Sequence, residues 1–152
     1  MRRFSVFLII LMIAGCSTTQ PTPPKALNFT MISSNFKISD AGFLRTYKNS
    51  TQLQVYSSGT GLLEVKIKDR VCYNSVCKDE LEFNNDFFKR VHYRGFFENI
   101  LKKEPIYEKR NLVKTECGFD QNLTDISYQI CGEKMTFVDS RNGIKIIIRE
   151  VN

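Results

Sequence analysis

Cysteine is the residue type whose chemistry is most readily assigned in this chain, because its five copies fall into two groups. Cys16 closes an N-terminal segment in which Arg2 and Arg3 precede an apolar run at residues 4–13. A positively charged start, a short apolar run and small residues before a cleavage point are typical of an export signal. A run of about ten residues is too short to cross a bilayer core of about 30 Å as a helix. We therefore predict that residues 1–15 are a signal peptide that is removed.

The sequence at the predicted cleavage point, Ile13-Ala14-Gly15-Cys16, resembles the lipobox of bacterial lipoproteins. In that family the cysteine receives a diacylglycerol thioether, and its new amine is usually acylated with a chain such as palmitate. The resemblance implies that Cys16 carries these chains as a membrane anchor. Each buried methylene contributes about 0.8 kcal/mol, so two or three acyl chains would hold the protein on a membrane for its lifetime. The alternative is an ordinary secretory signal with a chance cysteine at its end.

The residues after Cys16 predict the destination of the protein and how it is held there. Many two-membrane bacteria sort lipoproteins by the residue after the modified cysteine, where an Asp retains them in the inner membrane. Ser17 at this position implies the periplasmic face of the outer membrane, with inner-membrane anchoring as the alternative. Residues 16–28 are predicted to be a lipidated, proline-rich tether, because their three prolines favour extended backbone.

Composition sets limits on the chain beyond this tether. Removing residues 1–15 from the 152-residue chain leaves 137 residues, which is enough for one domain with a real core. Hydrophobic residues at 42% and charged residues at 25% are ordinary for a soluble fold, so residues 29–152 are predicted to be a single periplasmic domain. The formal charge of +6 comes from basic residues interleaved with acidic ones, a pattern that does not favour nucleic acid as a partner.

Four cysteines remain once Cys16 is assigned to lipid, and an even number in an exported chain predicts two disulfides. A two-residue turn at residues 74–75 would place Cys72 opposite Cys77, with β-carbons close enough for a disulfide. The alternative, a zinc site of four thiolates, would need paired two-residue spacings that this chain does not have. We therefore expect disulfides and no metal.

The second predicted disulfide joins Cys117 to Cys131 by the same reasoning. If these two residues face each other across a hairpin, then Gln121 faces Ser127. This register would leave residues 122–126 as the loop of the hairpin.

The elements that must position these cysteines alternate apolar and polar residues with a period of two, which is typical of strands. The clearest is residues 63–68, where Leu63, Val65 and Ile67 point to one side. Short links between such segments imply antiparallel pairing. Further strands are predicted at residues 35–39, 43–47, 52–56, 111–119, 126–131, 134–139 and 143–149.

Residues 84–103 change to a helical period, with Asn84 or Asn85 as the N-cap, a break at Gly95 and an end before Pro105. The prediction is an α+β fold, in which an antiparallel sheet, curled into a half-open barrel, is covered by a short helical pair. The aromatic residues of this segment either form the core under the sheet or line a lipid-sized apolar pocket. The candidate pocket residues are Phe87, Phe88, Val91, Phe96, Phe97 and Ile100.

Residues for catalysis are scarce in this sequence. His92 is the only histidine, and no motif marks a nucleophile or an orienting acid for it. Asp79 and Glu80 are adjacent carboxylates, which we interpret as a solvated strand edge. The chain has neither a Gly-x-Ser-x-Gly elbow nor a phosphate-cradling glycine loop. We therefore predict a non-enzymatic protein without a cofactor.

The layout of the domain is similar to that of the LolB family, outer-membrane receptors that accept lipoproteins from a periplasmic carrier. The resemblance implies a half-open antiparallel barrel with helices as a lid, and a role in handling lipid or acylated protein. That family also carries an exposed apolar loop, whereas the corresponding residues 57–61 have no apolar tip here. The similar segments are Gly61-Leu62-Leu63, Phe96 to Leu101 followed by Pro105, Gly118-Phe119, and the strands at residues 125–131 and 144–149.

A candidate modification site lies at Asn122 within Asp120-Gln121-Asn122-Leu123-Thr124. The Asn-x-Thr acceptor with an acid two residues before it resembles the extended sequon of bacterial N-glycosylation. The predicted hairpin would expose Asn122 on its loop, as an acceptor requires. The alternative is a chance occurrence of the tripeptide.

These features together predict a membrane-anchored periplasmic lipoprotein that acts as a binding module for lipid or acylated protein. Its expected partners are the membrane, through the N-terminal lipid, and a lipid or an envelope protein. The alternative is an accessory or scaffold lipoprotein of a cell-envelope assembly with no small ligand.

Overall fold

The computed structural model describes residues 22–34 and 36–151. The predicted signal peptide and Cys16 lie outside these residues. The elements in chain order are β1 (Lys25–Ile32), β2 (Lys37–Tyr47), β3 (Ser50–Ser57), β4 (Thr60–Ile67), β5 (Val71–Tyr73), β6 (Val76–Lys78), α1 (Glu80–Phe88), α2 (Phe96–Leu101), β7 (Leu112–Thr115), β8 (Gly118–Asn122), β9 (Ile126–Cys131), β10 (Lys134–Asp139) and β11 (Ile144–Glu150).

The described strands form one eleven-stranded antiparallel sheet in the order β6-β5-β4-β3-β2-β1-β11-β10-β9-β8-β7. Each half of the chain is a series of hairpins, and the pairing of β1 with β11 joins the two halves, with Phe29 opposite Ile148. Within the described residues, β6 and β7 each pair on one side only. The sheet therefore has two edges, one in each half of the chain.

Alternation along the strands explains why one face of the sheet is buried. In β4, Leu63, Val65 and Ile67 are buried while Glu64 and Lys66 are exposed, as predicted. The same alternation continues in β3, β9, β10 and β11. Side chains of the two short helices pack on this face, since Phe137 of β10 lies 6.1 Å from Phe88 and 5.8 Å from Phe96 by ring centroids.

The fold is mainly β, which corrects the predicted α+β class. The predicted antiparallel sheet is present, but the two helices contain only nine and six residues. The helical extent of residues 84–103 was overestimated because residues 89–95, which include Val91, His92 and Tyr93, form an irregular segment between the helices. Within the described residues, no helix is long and apolar enough to cross a membrane.

The start of α1 also differs from the prediction. The N-cap is Asp79, whose side chain accepts a hydrogen bond from the backbone N–H of Leu81 at 3.0 Å, and not Asn84 or Asn85. The C-cap of α1 is Lys89, which has left-handed backbone with φ 56°. Asn84 is instead fully buried inside the helix. The N-cap of α2 is Gly95, whose φ of 87° suits glycine, so the predicted break at this residue is confirmed.

Both predicted disulfides are present, but only one has the predicted register. Cys72 pairs directly with Cys77 across β5 and β6, joined by a turn at residues 74–75. The disulfide between Cys117 and Cys131 is also present, yet Gly118 takes the position opposite Cys131. A β-carbon at Gly118 would clash with the backbone oxygen of Ile130, so only glycine fits there.

The shift of one residue moves the whole β8–β9 hairpin relative to the prediction. Gln121 faces Tyr128 and not Ser127, and Asn122 is the residue opposite Ser127. Gln121 consequently has no solvent exposure. This placement of a polar side chain in the interior determines the structure of a loop described below.

β1 begins earlier than the predicted tether allows. Lys25 to Asn28 pair with β2, and Leu27 and Asn28 also pair with β11, so the tether does not extend to Asn28 as predicted. From Lys25 to Ile32 the strand spans about 23 Å, at about 3.3 Å per residue. The turns at residues 33–36, 123–125 and 140–143 lie at the Ile32 end, which we name the far end of the sheet.

Candidate functional site

An apolar groove with a volume of about 320 Å³ opens at the far end of the sheet. It lies between the β1–β2 turn, the β5–β6 hairpin and α1. Four of its residues are aromatic, and the charged side chains of Lys78 and Asp86 lie along it. We name it the aromatic groove; its lining residues are Phe36, Tyr73, Val76, Lys78, Phe83, Asp86 and Phe87.

Phe87 is the centre of the aromatic groove. Its ring centroid lies 6.2 Å from that of Phe36, 6.0 Å from that of Tyr73 and 4.9 Å from that of Phe83. These separations are within the range of favourable aromatic contacts. The residue therefore links three segments that are distant in sequence.

The Cys72–Cys77 disulfide fixes the edge of the aromatic groove. Tyr73 and Val76 form the pair directly inside it, next to the turn of the hairpin. β5 and β6 have only three residues each, so their ladder alone holds few hydrogen bonds. The covalent bond thus keeps Tyr73 and Val76 in place against α1.

The predicted pocket residues divide between the groove and the core. Phe87 lines the groove, while Phe88, Phe96, Phe97 and Ile100 are completely buried in the core. Val91 is 62% exposed and does not line the groove, so its assignment was wrong. Sequence reasoning also missed Phe36, Tyr73 and Val76, although the short disulfide hairpin signalled that the last two lie together.

Charges at the aromatic groove form a small exposed network. Lys78 Nζ lies 2.5 Å from an oxygen of Asp86 and 3.1 Å from one of Glu82. The hydrogen bond to Asp86, followed by that to Glu82, raises the pKa of Lys78, and the same bond lowers the pKa of Asp86. Lys78 thus stays protonated, and the two carboxylates beside it offset its charge.

A second unusual region lies at the far end, in residues 106–111, which we name the clamped loop. Tyr107, Glu108, Lys109 and Asn111 all have left-handed backbone, with φ of 45°, 53°, 63° and 56°. None of them is glycine, and this conformation costs on the order of 1–2 kcal/mol for each such residue. Strain of this kind persists only where surrounding contacts over-determine the backbone, and it is concentrated at functional sites.

Buried Gln121 supplies most of those contacts. Its Oε1 accepts from the Ile106 N–H at 2.8 Å, and its Nε2 donates to the carbonyls of Ile106 at 3.0 Å and Arg110 at 2.8 Å. Asn111 Nδ2 donates to the Asn122 carbonyl at 3.0 Å. One side chain from β8 therefore ties both ends of the clamped loop to the sheet.

His92 supports the middle of the clamped loop. Its Nδ1 lies 2.5 Å from the hydroxyl of Tyr107, and its ring stacks on Phe96 with centroids 3.7 Å apart. The residue lies between the helices, not within one, and is 2% exposed. Burial, and then the charge of Arg90, lowers the pKa of His92 from 6.5 to about 4. His92 is therefore neutral at pH 7 and acts as a hydrogen-bonding partner of Tyr107.

The adjacent carboxylates Asp79 and Glu80 do not form a solvated strand edge, which corrects that interpretation. Asp79 caps α1 and also pairs with Arg94 at 2.8 Å. Glu80 accepts a hydrogen bond from the backbone N–H of Gly95 at 2.5 Å, and burial raises its pKa. Together they fix the segment between the helices. Among the residues that the structure describes, no group of three His, Cys, Asp or Glu side chains could hold a metal ion.

The candidate glycosylation site lies beside the clamped loop. Asn122 is exposed at the end of β8, and Thr124 is exposed in the turn that follows. The corrected register shortens the loop of the hairpin to residues 123–125. The Asn122 side chain is thus on the surface, while its backbone carbonyl is bound by Asn111.

Comparison with known proteins finds no matching family model and no matching curated protein.

Proposed function

We propose that this chain is a lipoprotein anchored on the periplasmic side of the outer membrane, and that its domain is a non-enzymatic module that binds one aliphatic chain. The ligand would be a lipid or the acyl group of an acylated protein. The observation that supports this function is the aromatic groove. It is open to solvent, apolar and lined by four aromatic rings.

The size of the aromatic groove narrows the expected ligand. A volume of about 320 Å³ is at the lower end of the range of ligand pockets, about 300–1,000 Å³. It suits a single aliphatic chain better than a two-chain phospholipid. Lys78 at the mouth is already paired with Asp86 and Glu82, so the polar end of the ligand would remain in solvent.

The position of the aromatic groove fits an anchored protein. β1 begins at Lys25, at the end of the sheet opposite Phe36. The segment that would carry the lipid of Cys16 therefore joins the sheet at one end, and the groove opens at the other, about 23 Å away along β1. This arrangement leaves the groove accessible to molecules in the periplasm.

We further propose that the sheet forms the wall of a half-open barrel with the helices as its lid, as in the LolB family. Two contacts support this arrangement, because they join α2 and the residues after it to separate parts of the sheet. Thr51 Oγ1 of β3 donates to Glu98 at 2.7 Å, and Lys103 pairs with Glu150 of β11 at 2.8 Å.

Native mass spectrometry tests the proposed ligand. The Cys16→Ser variant, produced in a membrane-rich bacterial host, is expected to carry one bound fatty acid or lipid chain. Val76→Lys, which places a charge at the groove, should lose this adduct, whereas Val113→Lys should keep it. Val113 is a matched control for Val76, because the two side chains are 62% and 59% exposed and lie on the two edge strands. Absence of an adduct, or equal adducts in both variants, would contradict the proposal.

The accessory or scaffold function is the second candidate, and the edges of the sheet favour it. β6 and β7 each pair on one side only within the described residues, and each carries an exposed valine. Such edges can accept a strand of a partner protein. Crosslinks from positions 76 and 113 to an envelope protein in intact cells, with an empty groove, would support this function over lipid binding.

A further inference from the structure

A second cavity at the far end of the sheet has a polar lining and a volume of about 270 Å³. It lies between the clamped loop, Arg90 in the segment after α1, and the β8–β9 turn. We name it the arginine pocket. Its lining residues are Arg90, Tyr107, Arg110, Asn111, Leu123, Thr124, Asp125 and Ile126.

Two guanidinium groups of the arginine pocket have unused donors. Arg90 Nη1 is 3.8 Å from the nearest Asp125 oxygen, a distance longer than a hydrogen bond. Arg110 lies with its guanidinium carbon 5.5 Å from the centroid of the Tyr107 ring. Across residues 22–34 and 36–151, neither side chain forms a hydrogen bond with the protein. Planar guanidinium groups of this kind match the oxygens of phosphate in a bidentate geometry.

The clamped loop holds Arg110 in place. The carbonyl of Arg110 accepts from Gln121 Nε2 at 2.8 Å, and Tyr107 beneath its side chain is bound by His92. Both neighbours of Arg110 in sequence have left-handed backbone. The left-handed backbone of the loop therefore places Arg110 and Asn111 in one pocket with the β8–β9 turn.

Nearby charges leave the arginine pocket receptive to an anion. Asp125 lines it, but this carboxylate lies between two guanidinium groups, those of Arg90 at 3.8 Å and Arg141 at 4.0 Å. A buried acid in this area, Asp139, accepts hydrogen bonds from the backbone N–H of Arg141 and from the backbone and side-chain N–H groups of Asn142. These donors occupy its oxygens, and Asp139 does not line the pocket.

We propose that the arginine pocket binds a phosphate group. Arg90 and Arg110 would contact its oxygens, and the Asn111 amide and the Thr124 hydroxyl would supply neutral donors. The phosphate could belong to a lipid head group or to a free phosphate compound, because the recognised chemistry is the same. This site is separate from the aromatic groove, so it does not depend on the function proposed there.

NMR titration of the ¹⁵N-labelled Cys16→Ser protein with inorganic phosphate, glycerol phosphate and acetate tests this site. Saturable shifts of the amide signals of residues 108–111 and 123–126 are expected with at least one phosphate compound and not with acetate. Saturable shifts with inorganic phosphate would show that a free phosphate is sufficient for binding. Saturation by glycerol phosphate alone identifies a head group.

A matched pair of variants separates a site from general attraction to positive charge. Arg110→Gln should weaken phosphate binding at least tenfold, whereas Lys109→Gln should change it less than twofold. Both residues are exposed, and each substitution removes one charge from adjacent positions. Equal weakening by the two variants, equal binding of acetate, or no saturation with either phosphate compound would overturn the proposal. An unchanged amide spectrum outside the loop confirms that each variant folds.

Discussion

The aromatic groove and the arginine pocket lie at the same end of one sheet but are built in opposite ways. The groove uses regular elements, a hairpin of two three-residue strands closed by a disulfide and one face of α1, with left-handed backbone in the two-residue turn at residues 74–75. The pocket depends on a loop with four left-handed residues that are not glycine. The first is held by covalent and apolar contacts, and the second by buried hydrogen bonds.

This difference determines how each region should respond to change. Removing a hydrogen-bonding side chain should disturb the clamped loop and leave the aromatic groove intact. Removing the Cys72–Cys77 disulfide should disturb the aromatic groove and leave the clamped loop intact. Each prediction below tests whether the two regions are independent in this way, beginning with the largest expected effect.

Gln121→Ala should destabilise the protein by about 3–5 kcal/mol, because each buried polar group left without a partner costs about 1–3 kcal/mol. The change would leave the N–H and carbonyl of Ile106 and the carbonyl of Arg110 without their partner. Urea denaturation measures the loss. Gln129→Ala, on the exposed face of the adjacent strand, is the control and should change stability little. A loss below about 1 kcal/mol for Gln121→Ala would show that the clamp is unimportant.

Lowering the pH should weaken the clamped loop through His92. Its pKa is lowered to about 4 in the folded protein, against 6.5 as its ordinary value, so the unfolded chain binds the proton more tightly. The stabilising effect is complete above pH 6.5 and is lost as the pH falls towards 4, by about 3 kcal/mol in total. His92→Gln should lack this part of the pH dependence. The comparison uses urea denaturation of both proteins at pH 7, 5.5 and 4, and parallel curves would contradict the prediction.

Both disulfides should stabilise the fold, but only Cys72–Cys77 should also support ligand binding in the aromatic groove. Replacing Cys117 and Cys131 with serine should cost about 3 kcal/mol, and replacing Cys72 and Cys77 should cost about 2 kcal/mol, since the stabilisation grows with loop length. Only the second pair of substitutions should weaken binding of a fatty acid. Thermal unfolding and ligand titration of the two variants check this. Equal loss of binding in both would indicate a general effect of destabilisation.

The regions also differ in how far the sequence predicted them. The period of two in β4 and the five-residue spacing of Cys72 and Cys77 are local signals, and both predictions were confirmed. Phe36 reaches the aromatic groove from a distant turn, which no local pattern indicates. Its contact with Phe87 arises only from the packing of α1 across the sheet.

The clamped loop was not predictable for a different reason. Four of residues 107–111 have left-handed backbone, and none of them is glycine, so the loop contradicts the local preference of the sequence. It forms because Gln121 is turned into the interior by a register that Gly118 sets. A shift of one residue in the predicted hairpin was enough to place Gln121 on the wrong side.

Binding of an aliphatic chain in the aromatic groove is the central claim, and fluorescence quenching tests it directly. The chain contains no tryptophan, so Val76→Trp at the groove and Val113→Trp at the other edge strand each provide a single reporter. A brominated fatty acid should saturably quench the indole fluorescence of the Val76→Trp variant, and unbrominated fatty acid should reverse the quenching. The fluorescence of the Val113→Trp variant should respond to neither. Equal quenching of the two reporters, or no saturable quenching of the reporter at the groove, would contradict the proposed function.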